Sequence, residues 1–262
     1  MIADDLAKTI LITGASRGLG AALALRFARD GCALALCARS SEPLEKVASL
    51  CRDAGAQQVR TSCVDVSDAA IVRAWVDAVE SWRPIDVVIA NAGVFHGKRA
   101  NGSLETLAEV TNMLRVNVEG ALNVANAAMH SMRARREGRI VFVSSLAALQ
   151  PLADAPAYSA SKAALCAYAE ALREYLRPEN VGVTTVLPGH ITTAQTAHHV
   201  GRRPMEISAD AAAAMILRGI SRGHEVIVFP KRLQWLIRLG RVLPLSLRAR
   251  VNAPFRFHLG EH

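Results

Sequence analysis

The sequence predicts an α/β fold: a parallel sheet of about seven strands, doubly wound, with helices on both faces. Short runs rich in Val, Ile, Leu and Ala alternate with longer amphipathic stretches along the chain, the order produced by parallel strands and crossover helices. A glycine-rich turn follows the first run and opens the first amphipathic stretch. The 262 residues are 51% hydrophobic and 21% charged, which supplies one large core and excludes a disordered chain. At about 150 residues per domain one or two domains would fit, and α/β units often reach about 250 residues as one.

In chain order, strands are expected at 9–13, 33–37, 59–64, 87–90, 139–144, 183–187 and 225–229. Most are continuous apolar runs, as suits strands covered on both faces. Helices are expected at 19–30, 42–54, 68–82, 104–135, 157–177 and 208–222. Ser67, Ser103 and Ser208 stand where caps are needed, and Gly31 and Gly55 close two helices. Segment 190–207 lacks a period and follows a strand end, where open sheets place their ligand crevice, so it reads as a mobile substrate lid.

The net charge is +8, yet residues from Lys231 onward hold seven basic residues and one acidic one, so +6 belongs to the tail. A basic footprint for nucleic acid across the body is therefore not expected. Five cysteines, an odd number without a C-x-x-C pair, suggest neither a disulfide framework nor a metal site, and fit a reducing, cytoplasmic setting. The acidic start, with Asp4 and Asp5 close before the first strand, is expected to leave no room for a signal peptide. No run of about 18 apolar residues is present to span a bilayer.

The turn Gly14-Ala-Ser16-Arg17-Gly18-Leu19-Gly20 lies between strand and helix, the context a dinucleotide site requires. Gly14 and Gly18 would let backbone approach a pyrophosphate, and Gly20 would let the helix pack with its N-terminal amides facing the anion. At the end of the second strand no carboxylate stands ready for a ribose 2′-hydroxyl. Arg39, with Arg17, could instead hold a 2′-phosphate, so NADP(H) is expected over NAD(H). Asp65, before Val66, reads equally as an adenine contact or a cap.

Tyr158 and Lys162 stand four apart at the start of a predicted helix and emerge on one face. A nearby ammonium favours a phenolate, so the pair points to a tyrosine acid or base with a lowered pKa. Ser144 and Ser145 end a strand thirteen residues upstream, placing a hydroxyl at the same sheet edge, with helix capping as the competing role.

With Thr13-Gly14-x-x-x-Gly18-x-Gly20, Asp65-Val66, Asn91-Ala92-Gly93, Asn117, Ser145, Tyr158-x-x-x-Lys162 and Pro188-Gly189 with Thr193, the chain resembles the short-chain dehydrogenases/reductases to about Phe229. That resemblance implies a single-domain Rossmann-type fold over 1–229. It also implies that Tyr158 passes the proton, Ser145 polarises the substrate oxygen, Lys162 binds ribose hydroxyls and tunes Tyr158, and Asn117 holds a water linking the lysine to solvent. Asn91, Ala92 and Gly93 would shape the cofactor cleft, while Pro188, Gly189, Ile191 and Thr193 would border the nicotinamide. The family commonly pairs subunits through its long helices, so a homodimer or homotetramer is implied. No metal is required.

Substrate contacts are expected from Ala147, Leu149, Leu152, residues 94–97 and the lid, a mostly apolar set with His96, His198 and His199 among it. A carbonyl or alcohol substrate of hydrophobic character fits. Residues 230–262 form a basic amphipathic extension: Lys231, Gln234, Arg238 and Arg241 make one stripe, opposite a wide apolar face. Such a helix can lie in a membrane interface as a peripheral contact, or pack over the substrate mouth or a partner subunit. A catalytically silent cofactor sensor, or a membrane-recruited interaction protein, is the competing function.

Overall fold

A computed structural model describes residues 8–193 and 199–260. Its elements run β1 (Thr9–Thr13), α1 (Gly18–Arg29), β2 (Ala33–Ala38), α2 (Ser41–Asp53), β3 (Gln58–Cys63), α3 (Ala69–Trp82) and β4 (Val87–Ala90). There follow α4 (Leu107–Leu114), α5 (Gly120–Arg135), β5 (Arg139–Val143), α6 (Pro156–Leu176) and β6 (Gly182–Pro188). The short β7 (Ile191–Thr192), β8 (His199–Gly201) and β9 (Ile207–Ser208) precede α7 (Ala209–Ser221) and β10 (Val226–Phe229), and the chain ends in α8 (Lys231–Val242), α9 (Leu245–Asn252) and β11 (Phe257–Leu259).

Seven strands form one parallel sheet in the order β10-β6-β5-β4-β1-β2-β3. The alternation of a strand's side chains divides the core between its faces: in β1, Leu11 faces the helices α3, α5 and α6, while Ile10 and Ile12 face α1, α2 and α7. The order reverses between β1 and β4, and at such a switch point the strand ends part to leave a crevice. The edge strand β3 is only partly covered, so its sequence QVRTSC is the most polar of the seven.

Two expected caps move. The hydroxyl of Ser67 donates to Asp65, while Asp68 caps α3 by accepting the N–H groups of Ala70 and Ile71, both at 3.0 Å. Ser103 is likewise taken up by Asn101, and α4 begins three residues later than expected, behind Thr106 and Glu109 in a reciprocal capping box. In both places a nearer side chain satisfies the free helix amides, a contribution of about 1 kcal/mol per cap. The long helix expected over 104–135 is also interrupted by a π-helical turn at Arg115–Glu119.

The segment 190–207, expected to be a lid, is only partly regular among its described residues: β7 pairs with β9, and β8 pairs antiparallel with β11 at the far end of the chain. His198 lies outside the described residues, as does the side chain of His199.

Candidate active site

Strand β1 is buried along its whole length and ends at Thr13, whose hydroxyl oxygen accepts the N–H groups of Asn91 (3.1 Å) and Ala92 (3.0 Å). The Asn91 amide returns a bond to the Thr13 carbonyl at 2.9 Å, so the ends of β1 and β4 are tied side by side. The glycine turn packs directly on this tie. A Cβ at Gly14, where φ is +65°, would stand 2.8 Å from Ala92 Cα, and one at Gly20 would stand 2.2 Å from the Gly14 carbonyl oxygen. No side chain fits at either place, which leaves bare backbone at the crevice floor. Thr13 acts here although the sequence marked it only as part of the motif.

Arg17 stands in extended backbone before α1 and Arg39 follows β2; both are exposed on the rim. Asp65 accepts the N–H and hydroxyl of Ser67 at 3.0 and 2.8 Å, and these bonds, with a smaller effect of Arg39, hold its carboxyl below the ordinary range. Its carboxylate thus closes a local turn and also borders the cavity.

At the other end of the crevice, β5 leads into a short turn at Leu146–Ala148, and the two serines there divide the work. Ser144 is buried and donates to the Lys162 carbonyl at 2.8 Å, anchoring α6 to the sheet. Ser145 accepts the Ala147 N–H at 3.1 Å and its hydroxyl favours the charged form of Tyr158, so one side chain both caps the turn and bears on the tyrosine. The Lys162 ammonium lies 5.7 Å from the centre of the Tyr158 ring and donates to the Val143 carbonyl at 2.9 Å. An ammonium carries three donors, and this bond uses one of them.

The expected electrostatics of this pair differ from what the protein alone sets. Burial pushes the Tyr158 phenol up, and the Ser145 hydrogen bond offsets that only in part. Burial likewise pushes Lys162 down, to about 8. Desolvation disfavours both charged forms and outweighs the attraction that the four-residue spacing suggests.

Asn117 sits fully buried in the π-helical turn, which gives an otherwise unfavourable helix residue a reason to be there. It accepts the Val94 N–H at 2.7 Å and donates to the Val94 carbonyl and the Ser161 hydroxyl at 2.9 and 3.1 Å. A Cβ at Gly93 would stand 3.3 Å from Asn117 Oδ1 and 3.6 Å from Lys162 Nζ, so glycine keeps open the space that both polar groups border.

One cavity of about 880 Å³ joins the two ends. Every residue singled out from the sequence for cofactor binding borders it, from Gly14, Ser16, Arg17, Gly18, Leu19 and Gly20 through Val66 and Asn91 to Pro188, Gly189, Ile191 and Thr193, as do Ser145, Tyr158 and Lys162. Asn117 stands behind the wall. Of the expected substrate contacts, Val94, Phe95, Ala147 and Leu152 border the cavity. Leu149 does not: the turn at Leu146–Ala148 brings Gln150 and Pro151 to the wall in its place. His96 does not either, and its Nδ1 lies 3.4 Å from the Glu109 carboxylate.

The remaining wall comes from the C-terminal extension. Leu233, Ile237 and Leu243 border the cavity, and Phe257 lies against Phe95, with ring centres 6.1 Å apart. Phe95 in turn meets the Tyr158 ring edge-on at 4.7 Å. The extension is fastened by Asp154, a buried carboxylate whose Oδ2 accepts Arg256 Nε at 2.6 Å and the Phe257 N–H at 3.1 Å. Burial alone would raise its pKa, but these bonds outweigh that and hold it low. Asp154, Arg256 and Phe257 escaped the sequence reading because the partners lie about a hundred positions apart with no shared spacing. The apolar face expected on the extension is also split: part covers the cavity and part, including Trp235 and Val242, faces outward. Among the described residues no helix is long and apolar enough to cross a membrane.

Comparison with known proteins agrees with this geometry. Residues 8–203 match the family model for short chain dehydrogenase. The chain is 32% identical over 243 residues to 11-beta-hydroxysteroid dehydrogenase-like 2 of Arabidopsis thaliana, covering 90% of this chain and 78% of that protein. A short-chain dehydrogenase from Sphingobium yanoikuyae, solved with NADPH, superposes with a TM-score of 0.76 at 26% identity, covering 91% of this chain and 97% of that one. In fold alone, the Burkholderia phymatum short-chain dehydrogenase/reductase solved with NAD is also alike, with a TM-score of 0.80 at 24% identity over 92% and 95% of the two chains. With the tied strand ends, the bare glycine turn and the Ser145–Tyr158–Lys162 cluster around one cavity, the chain belongs to the short-chain dehydrogenase family of oxidoreductases.

Proposed function

We propose that this protein interconverts an apolar carbonyl compound and its secondary alcohol with NADP(H). The observation that carries the proposal is the buried Lys162 ammonium, held by one carbonyl, beside the Tyr158–Ser145 pair in a cavity whose far end is bare glycine backbone. The residues present fit the cofactor: Lys162 has donors left for ribose hydroxyls, the amides at the start of α1 suit a pyrophosphate, and Arg17 and Arg39 suit a 2′-phosphate. When bound, the nicotinamide cofactor supplies or accepts the hydride at the substrate carbon.

Ser145 and Tyr158 then hold the substrate oxygen. In the reducing direction Tyr158 donates its proton to that oxygen as negative charge develops there. The Lys162 ammonium stabilises the phenolate left behind, and with a pKa of about 8 it exchanges protons near neutrality and can restore Tyr158. Asn117, fixed to Val94 and Ser161, orders the polar space behind Lys162 through which that proton is replaced. The apolar wall of Leu152, Leu233, Ile237 and Phe257 favours a hydrophobic substrate body and excludes water from the reacting oxygen. The name of the plant relative, a hydroxysteroid dehydrogenase-like protein, is in keeping with that choice.

The five unpaired cysteines support a reducing, cytoplasmic setting. Exposed Leu107 and Leu114 on α4 and Tyr175 on α6 support pairing of subunits through the long helices. A silent cofactor sensor would have no use for the proton-transfer pair.

The test is to follow oxidation of NADPH and NADH separately against apolar ketones, aldehydes and quinones. NADPH is expected to be preferred, with the preference falling about 10- to 100-fold in Arg17→Ala/Arg39→Ala. A native preference for NADH overturns the cofactor assignment. Tight NADPH binding without turnover of any carbonyl class overturns the enzymatic one.

A further inference from the structure

The C-terminal helix α8 presents two different apolar faces. Leu233, Ile237 and Gly240 line up at spacings of four and three and border the cavity. Trp235, Leu239 and Val242, at the same spacings, are instead 67%, 69% and 83% exposed. Leu236 and Leu239 belong to both settings, exposed on one side and bordering the cavity on the other, so the cavity opens beside the outward face. Around that face stand Lys231, Arg232, Arg238 and Arg241, and α9 adds Arg248, which borders the cavity, and Arg250. No acidic residue occurs between Glu225 and Glu261, and among the described residues none of these six cations forms an ion pair. The Arg238 guanidinium lies 5.8 Å from the Trp235 ring centre, a cation beside the aromatic at the edge of the patch.

From this arrangement we propose that the outward face of α8 docks on an anionic lipid surface, so that an apolar substrate passes from the membrane into the cavity beside it. The inference deepens the functional reading above and rests on it for the substrate. Charge selects the occupant. In a two-fold dimer through α8 the same patch would face itself, setting arginines against arginines with no carboxylate to relieve them. A surface of anionic head groups over acyl chains matches both parts of the patch, cations to phosphates and Trp235, Leu239 and Val242 to hydrocarbon.

The test uses the purified full chain and sedimentation with vesicles of phosphatidylcholine alone or of equimolar phosphatidylcholine and phosphatidylglycerol. Binding is expected to the anionic vesicles, to weaken as salt is raised, and to be accompanied by a blue shift of tryptophan fluorescence. Arg232→Glu/Arg238→Glu/Arg241→Glu should weaken it by at least about five-fold per cation. Trp235→Ser/Val242→Ser should weaken it as well and abolish the blue shift, while NADPH oxidation with a soluble carbonyl stays at the native rate. The proposal is overturned if the native chain stays in solution with both vesicle types, or if either variant binds as well as the native chain. It is equally overturned if Trp235→Ser/Val242→Ser converts a native dimer to monomer with vesicle binding unchanged, or if an acidic peptide but no vesicle is bound. Sedimentation needs no turnover, so failure here and failure of the enzymatic reading are separately visible.

Discussion

The strand-end wall of the cavity, from Thr13 to Val143, is set on strands whose side chains are almost all buried, whereas no described side chain between 231 and 260 is buried. The first wall is held by the whole sheet. The second hangs from a two-strand pairing of β8 with β11 and from the bonds that Asp154 makes to Arg256 and Phe257. On the proposed function, proton transfer tolerates little displacement and its groups sit on the rigid wall, while selection among substrate bodies is left to the looser one. Stability is not uniform through a structure, and here burial falls from the first wall to the second.

The sharpest break between the two walls is expected at Tyr158. Tyr158→Phe should keep the fold and NADPH binding and lower kcat by about 10²- to 10⁴-fold, measured as NADPH oxidation beside an NADPH titration. Turnover within ten-fold of native would place the proton donor elsewhere.

A moderate and different effect is expected at the fastening of the second wall. Asp154→Asn removes the carboxylate that Arg256 and the Phe257 N–H share, and should raise KM for bulky apolar carbonyls about ten-fold while kcat for small ketones changes little. The pH dependence has a definite sign. Asp154 is held below its unfolded value of about 4, so its stabilisation is whole above that pH and is lost as pH falls through the depressed folded value. Hydrogen-exchange protection at the β8–β11 amides, taken relative to the intrinsic rate at each pH, should therefore fall on acidification below about pH 4, before that of the sheet. Equal protection of both regions through that range would show one rigid body.

The smallest effect lies on the rigid wall and concerns stability. Lys162 falls from about 10.4 unfolded to about 8 folded, so the cost of burying its charge is full below about pH 8 and is relieved as pH rises between those values. Lys162→Met should raise Tm by a few degrees at pH 7, lose the upward trend of stability between about pH 8 and 10, and lose activity. An unchanged trend in the variant would assign it to another group.

Much of the first wall is legible in the sequence, because its parts are local. Gly14, Gly18 and Gly20 stand in one turn, Tyr158 and Lys162 one helical turn apart, and Ser145 at the end of an apolar run. The caps were less legible, since Ser67 and Asp68, or Ser103 and Thr106, are near-equal candidates in sequence and only neighbouring groups choose between them. The interruption of the long helix at Asn117 left no trace in periodicity, because one extra residue in a turn hardly disturbs an apolar stripe.

By itself the sequence determined the alternating strands and helices, the glycine turn, the placing of Tyr158 and Lys162 on one helix face and the basic, amphipathic character of the tail, all of which are matters of spacing within a few residues. Tertiary structure alone decided that burial outweighs attraction between Tyr158 and Lys162, and that Asp154 holds a strand about a hundred residues away. It also decided that one helix closes the cavity with one face and leaves another in solvent. Desolvation and long-range contact depend on what the rest of the chain brings alongside a residue, and no local spacing encodes that.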